Sequence, residues 1–228
     1  MKVQAIIPTA GVGRRLRSAV IKPLVKINGK PLFVYCLQVF ERSSAVDSAI
    51  LVVHRKYLKD FEKNVKKYRL KKVKRIVPGG KTRSASVRNG LRALDRDTDV
   101  VLIHDGVRPM VTAAMIKRSV RSCRRSGAVI VALPVKSTIK RLDGNKMVVR
   151  ETLPREALWE VQTPQVFKKD VLVKAHARAG SHDSTDDAVL VERMGVKVKV
   201  VLGDYKNIKV TTQEDVAVVK GLLKHQCG

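Results

Sequence analysis

The chain has 228 residues, 44% of them hydrophobic and 4% aromatic, with 47 Lys and Arg against 20 Asp and Glu and a net charge of +27. That length holds one substantial domain or two small ones, around a core drawn mostly from Val, Leu, Ile and Ala. It excludes a membrane-spanning helix, because the longest apolar runs fall far short of the ~20 residues one needs.

Met1-Lys2 leads straight into the first apolar run, Val3 to Pro8, which leaves no room for a signal or transit peptide. This run feeds into Thr9-Ala10-Gly11-Val12-Gly13-Arg14-Arg15, and Lys22 follows nine residues after Gly13. A strand ending in a small, glycine-rich loop brings backbone N–H groups within reach of phosphates. Arg15 and Lys22 add positive charge where a polyphosphate would lie. The P-loop pattern is absent, since Gly13 is followed by Arg14-Arg15-Leu16 rather than Lys and Ser or Thr. The dinucleotide fingerprint also fails: position 16 is Leu, and Lys22-Pro23 disfavours helix at Lys22. The plainer alternative is a glycine turn with solvated arginines.

Further strand-like runs are Ala49–Val53, Val73–Val77, Val100–Ile103, Ala128–Pro134 and Val196–Leu202, and helix-like stretches lie at 31–42, 56–68, 83–94 and 112–125. Pro31 suits the first helical position and Thr112 an N-cap. Continuous Val/Ile/Leu strands alternating with helices predict a largely parallel sheet covered on both faces. The alternation breaks after Pro134. Ser137–Leu142 and Lys146–Glu151 flank Asp143-Gly144-Asn145, a hairpin signal, with polar residues on both faces. Such a hairpin does not stand alone in water, so it is expected to project and pack on something else. With no linker or repeat, the chain reads as one domain, 1–228, with an arm at about 135–157.

Ligands of open α/β sheets bind beyond the carboxyl ends of strands, and each candidate motif sits there. Gly79-Gly80-Lys81-Thr82-Arg83-Ser84-Ala85-Ser86 offers close backbone approach and a hydroxyl, Ser86, that can read a base edge; an N-capped helix start is the alternative. His104-Asp105-Gly106-Val107-Arg108-Pro109 puts an acid beside an Arg, either for a metal, sugar or phosphate or as a structural pair. His104 reads as a packed histidine rather than a base. Trp159–Phe167 combines a strand pattern with a Thr-Pro turn, Ser184-Thr185-Asp186-Asp187 starts a helix, and Asn207–Thr211 reads as a short strand. No histidine cluster has metal-ligand spacing, and no Ser-His-Asp or Cys-His arrangement occurs. Cys36, Cys123 and Cys227 are scattered thiols without a CxxC pair, which points to a reducing, cytoplasmic location and no zinc site.

The combination PTAGxGxR, Lys22, GGxxR, HDxxRP, QTPQxF, TDD and NIKVT, in this order from Val3 to about Ala217, resembles the 2-C-methyl-D-erythritol 4-phosphate cytidylyltransferases. The resemblance implies a Rossmann-like nucleotidyltransferase fold and a homodimer formed through the arm. It implies transfer of cytidylyl from CTP to the methylerythritol phosphate, with release of pyrophosphate and with Mg²⁺, in non-mevalonate isoprenoid synthesis. Pro8, Thr9, Ala10, Gly11 and Gly13 would line the CTP loop, with Gly80 and Ser86 at the cytosine. Arg15 and Lys22 would be catalytic, bracketing the α-phosphate. Asp105, facing CTP as well, would join Arg108, Thr163, Thr185 and Lys209 around the alcohol phosphate, with Thr138 and Arg155 reaching in from a partner's arm. No residue is a certain metal ligand; Mg²⁺ would ride mainly on the CTP phosphates, with Asp105 a candidate. Three features depart from the family pattern: Thr9 for the usual Ala, Ile21-Lys22-Pro23-Leu24 for Pro-Lys-Gln-aromatic, and Gly106-Val107 for a common Ala-Ala.

The nearest rival is a ribitol-5-phosphate cytidylyltransferase of the same fold, which shares HDxVRP and QTPQ. The opening Pro8-Thr9-Ala10-Gly11 and Pro154-Arg155 with Leu158-Trp159 favour methylerythritol phosphate. A nucleic-acid-binding protein is a different class, motivated by the charge: residues 55–92 carry fifteen basic and two acidic residues. The charge spreads along the whole chain and few aromatics can stack bases, so a solvated basic surface that draws in anionic substrates is the preferred reading.

Overall fold

The apolar runs become the middle of one sheet. In a computed structural model, which describes residues 1–11, 21–180 and 183–224, the elements in chain order are β1 (Lys2–Pro8), β2 (Lys26–Ile27), β3 (Lys30–Pro31), α1 (Leu32–Arg42), β4 (Ser48–Val53), α2 (Leu58–Lys67), β5 (Val73–Pro78), α3 (Arg83–Arg92) and β6 (Thr98–Ile103). They continue with α4 (Ala113–Ser126), β7 (Ala128–Pro134), β8 (Ile139–Leu142), β9 (Val149–Leu153), β10 (Trp159–Lys168), α5 (Lys169–Ala179), α6 (Ala188–Glu192), β11 (Lys199–Leu202) and α7 (Gln213–Lys224). A seven-stranded sheet runs β11-β7-β10-β6-β1-β4-β5. Its pairs are parallel except where β10 lies antiparallel between β6 and β7. The chain leaves β7, traverses the arm and returns beside β7, so β10 must run the opposite way.

Successive side chains of a strand point to opposite faces. Ala5 and Ile7 of β1 accordingly join Phe33, Leu37 and Phe40 of α1 in one core layer, while Ile6 joins Val87 of α3 and Leu172 of α5 in the other. Every residue of β4 is buried. The sheet is therefore covered on both faces, as the Val/Ile/Leu runs predict. A third, smaller cluster packs Val219 of α7 and Val210 onto Ile27, Leu32 and Met110. No helix among the described residues is long and apolar enough to cross a membrane.

Several boundaries shift from the sequence expectation. Pro31 is the N-cap of α1 rather than its first helical residue. A 3₁₀ turn at Arg55–Tyr57 precedes α2, and β11 begins at Lys199 because Val196 and Val198 are used to pack the core before the strand starts. Thr112 does cap α4, accepting from the Met115 amide at 3.1 Å. The Asn207–Thr211 segment is irregular rather than a strand, and Trp159–Phe167 is one continuous strand whose pairing register slips between Gln162 and Gln165.

The arm is an antiparallel pair, Ile139 opposite Leu153, with the Val135 amide donating to the Leu158 carbonyl at its base (3.0 Å). Its tip is wider than a two-residue turn. The Asp143 amide donates to the Val148 carbonyl at 2.9 Å across a 3₁₀ turn, and Met147 adopts φ +54°. The second strand therefore starts at Val149 rather than Lys146.

Candidate active site

The carboxyl ends of β1, β4 and β5 are stitched together by backbone bonds. Thr9 donates both its amide and its hydroxyl to the Val52 carbonyl, at 2.7 and 2.8 Å, and the Gly79 amide donates to the Val53 carbonyl at 2.7 Å. Gly79 is required by this closeness. A Cβ there would lie 2.3 Å from the Ala10 Cβ and 3.0 Å from the Ser86 Oγ. Thr82 then caps α3, accepting from the Ala85 amide at 3.1 Å. The Ser86 hydroxyl donates to the Thr82 carbonyl (2.9 Å) and accepts from the Gly80 amide (3.1 Å). Its proton is committed, so Ser86 shapes the turn and offers a base only acceptor capacity.

At the end of β6, His104 is fully buried. Its Nε2–H donates to the Arg108 carbonyl (3.1 Å), since a carbonyl can only accept, and its Nδ1 then accepts from the Thr163 hydroxyl at 3.0 Å. Thr163 in turn accepts from the Asp105 amide at 3.1 Å. Burial pushes the His104 pKa down to about 4, so the ring is neutral and structural. This chain of bonds fixes Asp105. Its Oδ2 lies 2.9 Å from Lys209 Nζ and 3.5 Å from Arg108 Nε. Burial alone would raise the Asp105 pKa, but Lys209, Arg83 and Arg108 together hold it well below the ordinary carboxylate range.

These ends surround a cavity of about 540 Å³. Pro8, Thr9, Ala10 and Gly11 form one wall, Gly80 and Ser86 another, and Lys22, Asp105 and Lys209 bring charge to it. Arg108 and Thr163 stand behind that wall: both are buried, and the Arg108 Nη1 donates to the Asn207 carbonyl at 2.8 Å. Thr185 is exposed on the loop before α6, whose first turn is capped instead by Asp186 accepting from Val189 at 3.0 Å. Thr138 and Arg155 line a separate cavity of about 280 Å³ on the arm. Gly13 and Arg15 lie outside the described residues.

The sequence reading assigned no role to His54, Lys81, Thr82, Arg83 or Val107, yet all five line the main cavity. Each immediately follows a strand end or a glycine turn already singled out, which is the signal that locates them. The Arg83 Nη2 lies 2.7 Å from the buried Asp187 carboxylate. No pattern of spacing reveals that pair, because its partners are separated by the whole of the β6–β10 region.

A sequence model of the family described as 2-C-methyl-D-erythritol 4-phosphate cytidylyltransferase matches residues 3–225. The chain belongs to this family. A member from Alkaliphilus metalliredigens is 46% identical over 99% of this chain and 94% of its own, and one from Geotalea uraniireducens is 42% identical over 98% and 97%. A solved structure of the Anaerococcus prevotii 4-diphosphocytidyl-2C-methyl-D-erythritol synthase superposes with a TM-score of 0.85, at 34% identity, over 98% of this chain and 96% of that one. The Thermus thermophilus cytidylyltransferase does so at 0.80, with 29% identity, over 98% and 100%. The family match bears out the nucleotidyltransferase fold and the enzyme class expected from the motifs. It favours methylerythritol phosphate over ribitol 5-phosphate.

Proposed function

We propose that the 540 Å³ cavity holds CTP and transfers its cytidylyl group to 2-C-methyl-D-erythritol 4-phosphate, a step of isoprenoid biosynthesis. The observation that carries this reading is the convergence of the loop ends at Pro8–Gly11 and Gly80–Ser86 with Lys22 and the Asp105–Lys209 pair on one cavity. An oxygen of the alcohol phosphate attacks the α-phosphorus of CTP; the bond to the β-phosphate oxygen breaks, and pyrophosphate leaves. Charge builds on the equatorial oxygens and the leaving group, so catalysis is positioning plus electrostatic stabilisation. Lys22 and Arg15 bracket the α-phosphate. Residues 9–11 and 79–86, with Gly13, hold the nucleoside. Lys209, oriented by Asp105, takes the alcohol phosphate, and Arg108 and Thr163 keep Asp105 in place from behind. A phosphate monoester is already ionised and nucleophilic near neutral pH, so a neutral, buried His104 is no impediment.

Mg²⁺ fits this arrangement in the way it commonly binds, through substrate phosphates and one carboxylate. Asp105 is the carboxylate of the described wall; no larger group of acidic, His or Cys ligands occurs among the described residues. When bound, the ion would neutralise charge on the triphosphate. The arm completes the assembly as a homodimer, delivering Thr138 and Arg155 to a neighbour's alcohol phosphate. Cys36 and Cys123 are buried unpaired thiols, in keeping with a cytoplasmic enzyme. Pyrophosphate release with CTP against a panel of alcohol phosphates tests the reading. Release with methylerythritol phosphate is expected. Preference for ribitol 5-phosphate would transfer the protein to the rival activity.

A further inference from the structure

Behind the cavity lies a buried charged cluster to which the transfer reaction assigns no part. Arg83, the first residue of α3, lines the cavity, and its Nη2 contacts Asp187 Oδ2 at 2.7 Å. Asp187 is fully buried. Its other oxygen accepts from His176 Nε2 on α5 at 2.9 Å, and its amide donates to the Gln165 side chain on β10 at 3.1 Å. Burial disfavours the Arg83 charge, but Asp187 and then Asp105 more than offset this and raise its pKa.

A second set of bonds laces the same two segments. The Ser84 amide donates to Asp183 at 3.2 Å, and the Ser184 amide donates to the Ser84 hydroxyl at 3.1 Å. One of these segments is the nucleotide-facing turn. The other carries Thr185, which the family resemblance assigns to the alcohol phosphate. A buried ion pair is weak evidence for stability, because desolvation cancels much of the attraction and an apolar replacement is often as stable. What such a pair does provide is a fixed geometry: a planar guanidinium bound to a carboxylate has one preferred arrangement.

We propose that Asp187 is a positioning residue for cytidylyl transfer: with His176 behind it, its carboxylate holds the Arg83 guanidinium in the cavity wall and sets the spacing between the turn at 79–83 and the loop at 183–187. The proposal rests on reading the cavity as the CTP site. Each half-site binds its own ligand without this strut; alignment of the two requires it. Misalignment by about 1 Å costs on the order of 10²-fold in rate while leaving binding largely intact.

The test measures kcat and both KM values for Asp187→Asn, Arg83→Gln, the double variant and Asp187→Glu, using CTP and methylerythritol phosphate, with thermal melts on each protein. Asp187→Asn should lower kcat by about 10- to 100-fold with each KM within about threefold. The double variant should be no slower than the worse single one, as for two parts of one device, and Asp187→Glu should recover part of the rate. A kcat within twofold of wild type in folded Asp187→Asn protein would overturn the proposal. So would losses that multiply in the double variant. If Asp187→Asn does not fold, His176→Phe, which keeps volume and removes one donor, carries the test. A kcat at least threefold lower at unchanged KM supports the strut, and an unchanged kcat rejects it. A wild type inactive with these substrates would instead remove the CTP reading, and the proposal with it.

Discussion

The cavity wall and the arm are built on opposite terms. At the wall and just behind it, Thr9, Ser86, His104 and Thr163 are almost wholly buried, and their polar atoms are bonded within the chain. On the arm, Met147 is 81% exposed, with Val148, Val149 and Leu142 also exposed, and the Arg141–Glu151 pair at 2.5 Å lies in solvent. The described part of the wall is held by bonds within its own fold. The arm presents apolar side chains and a small cavity at Thr138 and Arg155 that none of the described residues covers. A site assembled from both would have one half preorganised and the other dependent on association.

Lys22→Ala gives the largest effect expected. Removing a cation from the α-phosphate should lower kcat by roughly 10²- to 10³-fold, with little change in thermal midpoint, because Lys22 lies on a short 3₁₀ turn rather than in the core. Arg15→Ala should behave alike. Steady-state kinetics at saturating CTP, with a melt, separates this from unfolding.

Mixing two variants sharpens the contrast further. Lys22→Ala damages the wall and Arg155→Ala the arm. If the arm serves a neighbour, mixed dimers contain one site with both residues intact. Random exchange of equal amounts should return about a quarter of wild-type activity. Verified exchange without recovery would confine Arg155 to its own chain.

Acid should loosen the wall before the arm. The unfolded His104 takes up a proton as pH falls below about 6.5, whereas the folded ring resists until about 4. Between those values the unfolded state binds more protons, so stability falls with pH, by up to about 3 kcal/mol in all. Asp105 does not confuse this window. Its stabilising contribution is present above the ordinary carboxylate range and is lost only as pH falls through its strongly lowered folded value. Denaturant titrations at pH 7, 5.5 and 4.5 should show the slope in wild type and a flatter one in His104→Asn. The arm, at 135–157, contains no histidine to contribute.

The wall was more legible in the sequence than the arm's surroundings, for a physical reason. Strand ends followed by glycine turns are local signals, so Pro8–Gly11, Gly80 and Asp105 could be placed from spacing alone. Apolar runs located β1, β4, β6 and β7 because both faces of those strands are buried. The reversal of β10, the helices α5 and α7, and the Arg83–Asp187 pair all depend on contacts between distant segments. Arg108 shows the same limit. Its motif placed it beside Asp105, but only the Asn207 carbonyl, brought in by the chain after β11, turns its guanidinium behind the wall.

Two departures from the family pattern give the smallest and most local expectation. Thr9 stands where Ala is usual, and Gly106 where an Ala-Ala pair is common. A Cβ at Gly106 would lie 2.3 Å from the Thr9 Cγ2, inside any tolerable contact. The Thr9 methyl therefore fills the space that an alanine at 106 would need, which couples the two positions just beyond the ends of β1 and β6. Gly106→Ala alone should cost about 1–3 kcal/mol through overpacking. Thr9→Ser removes the methyl and keeps the hydroxyl that donates to Val52, so Gly106→Ala made in that background should cost little. Denaturant unfolding of the four proteins yields the coupling energy, expected at about 1 kcal/mol or more for groups in direct contact. Equal costs of Gly106→Ala in both backgrounds would mean that the two positions vary independently, and that the wall tolerates more slack than its burial implies.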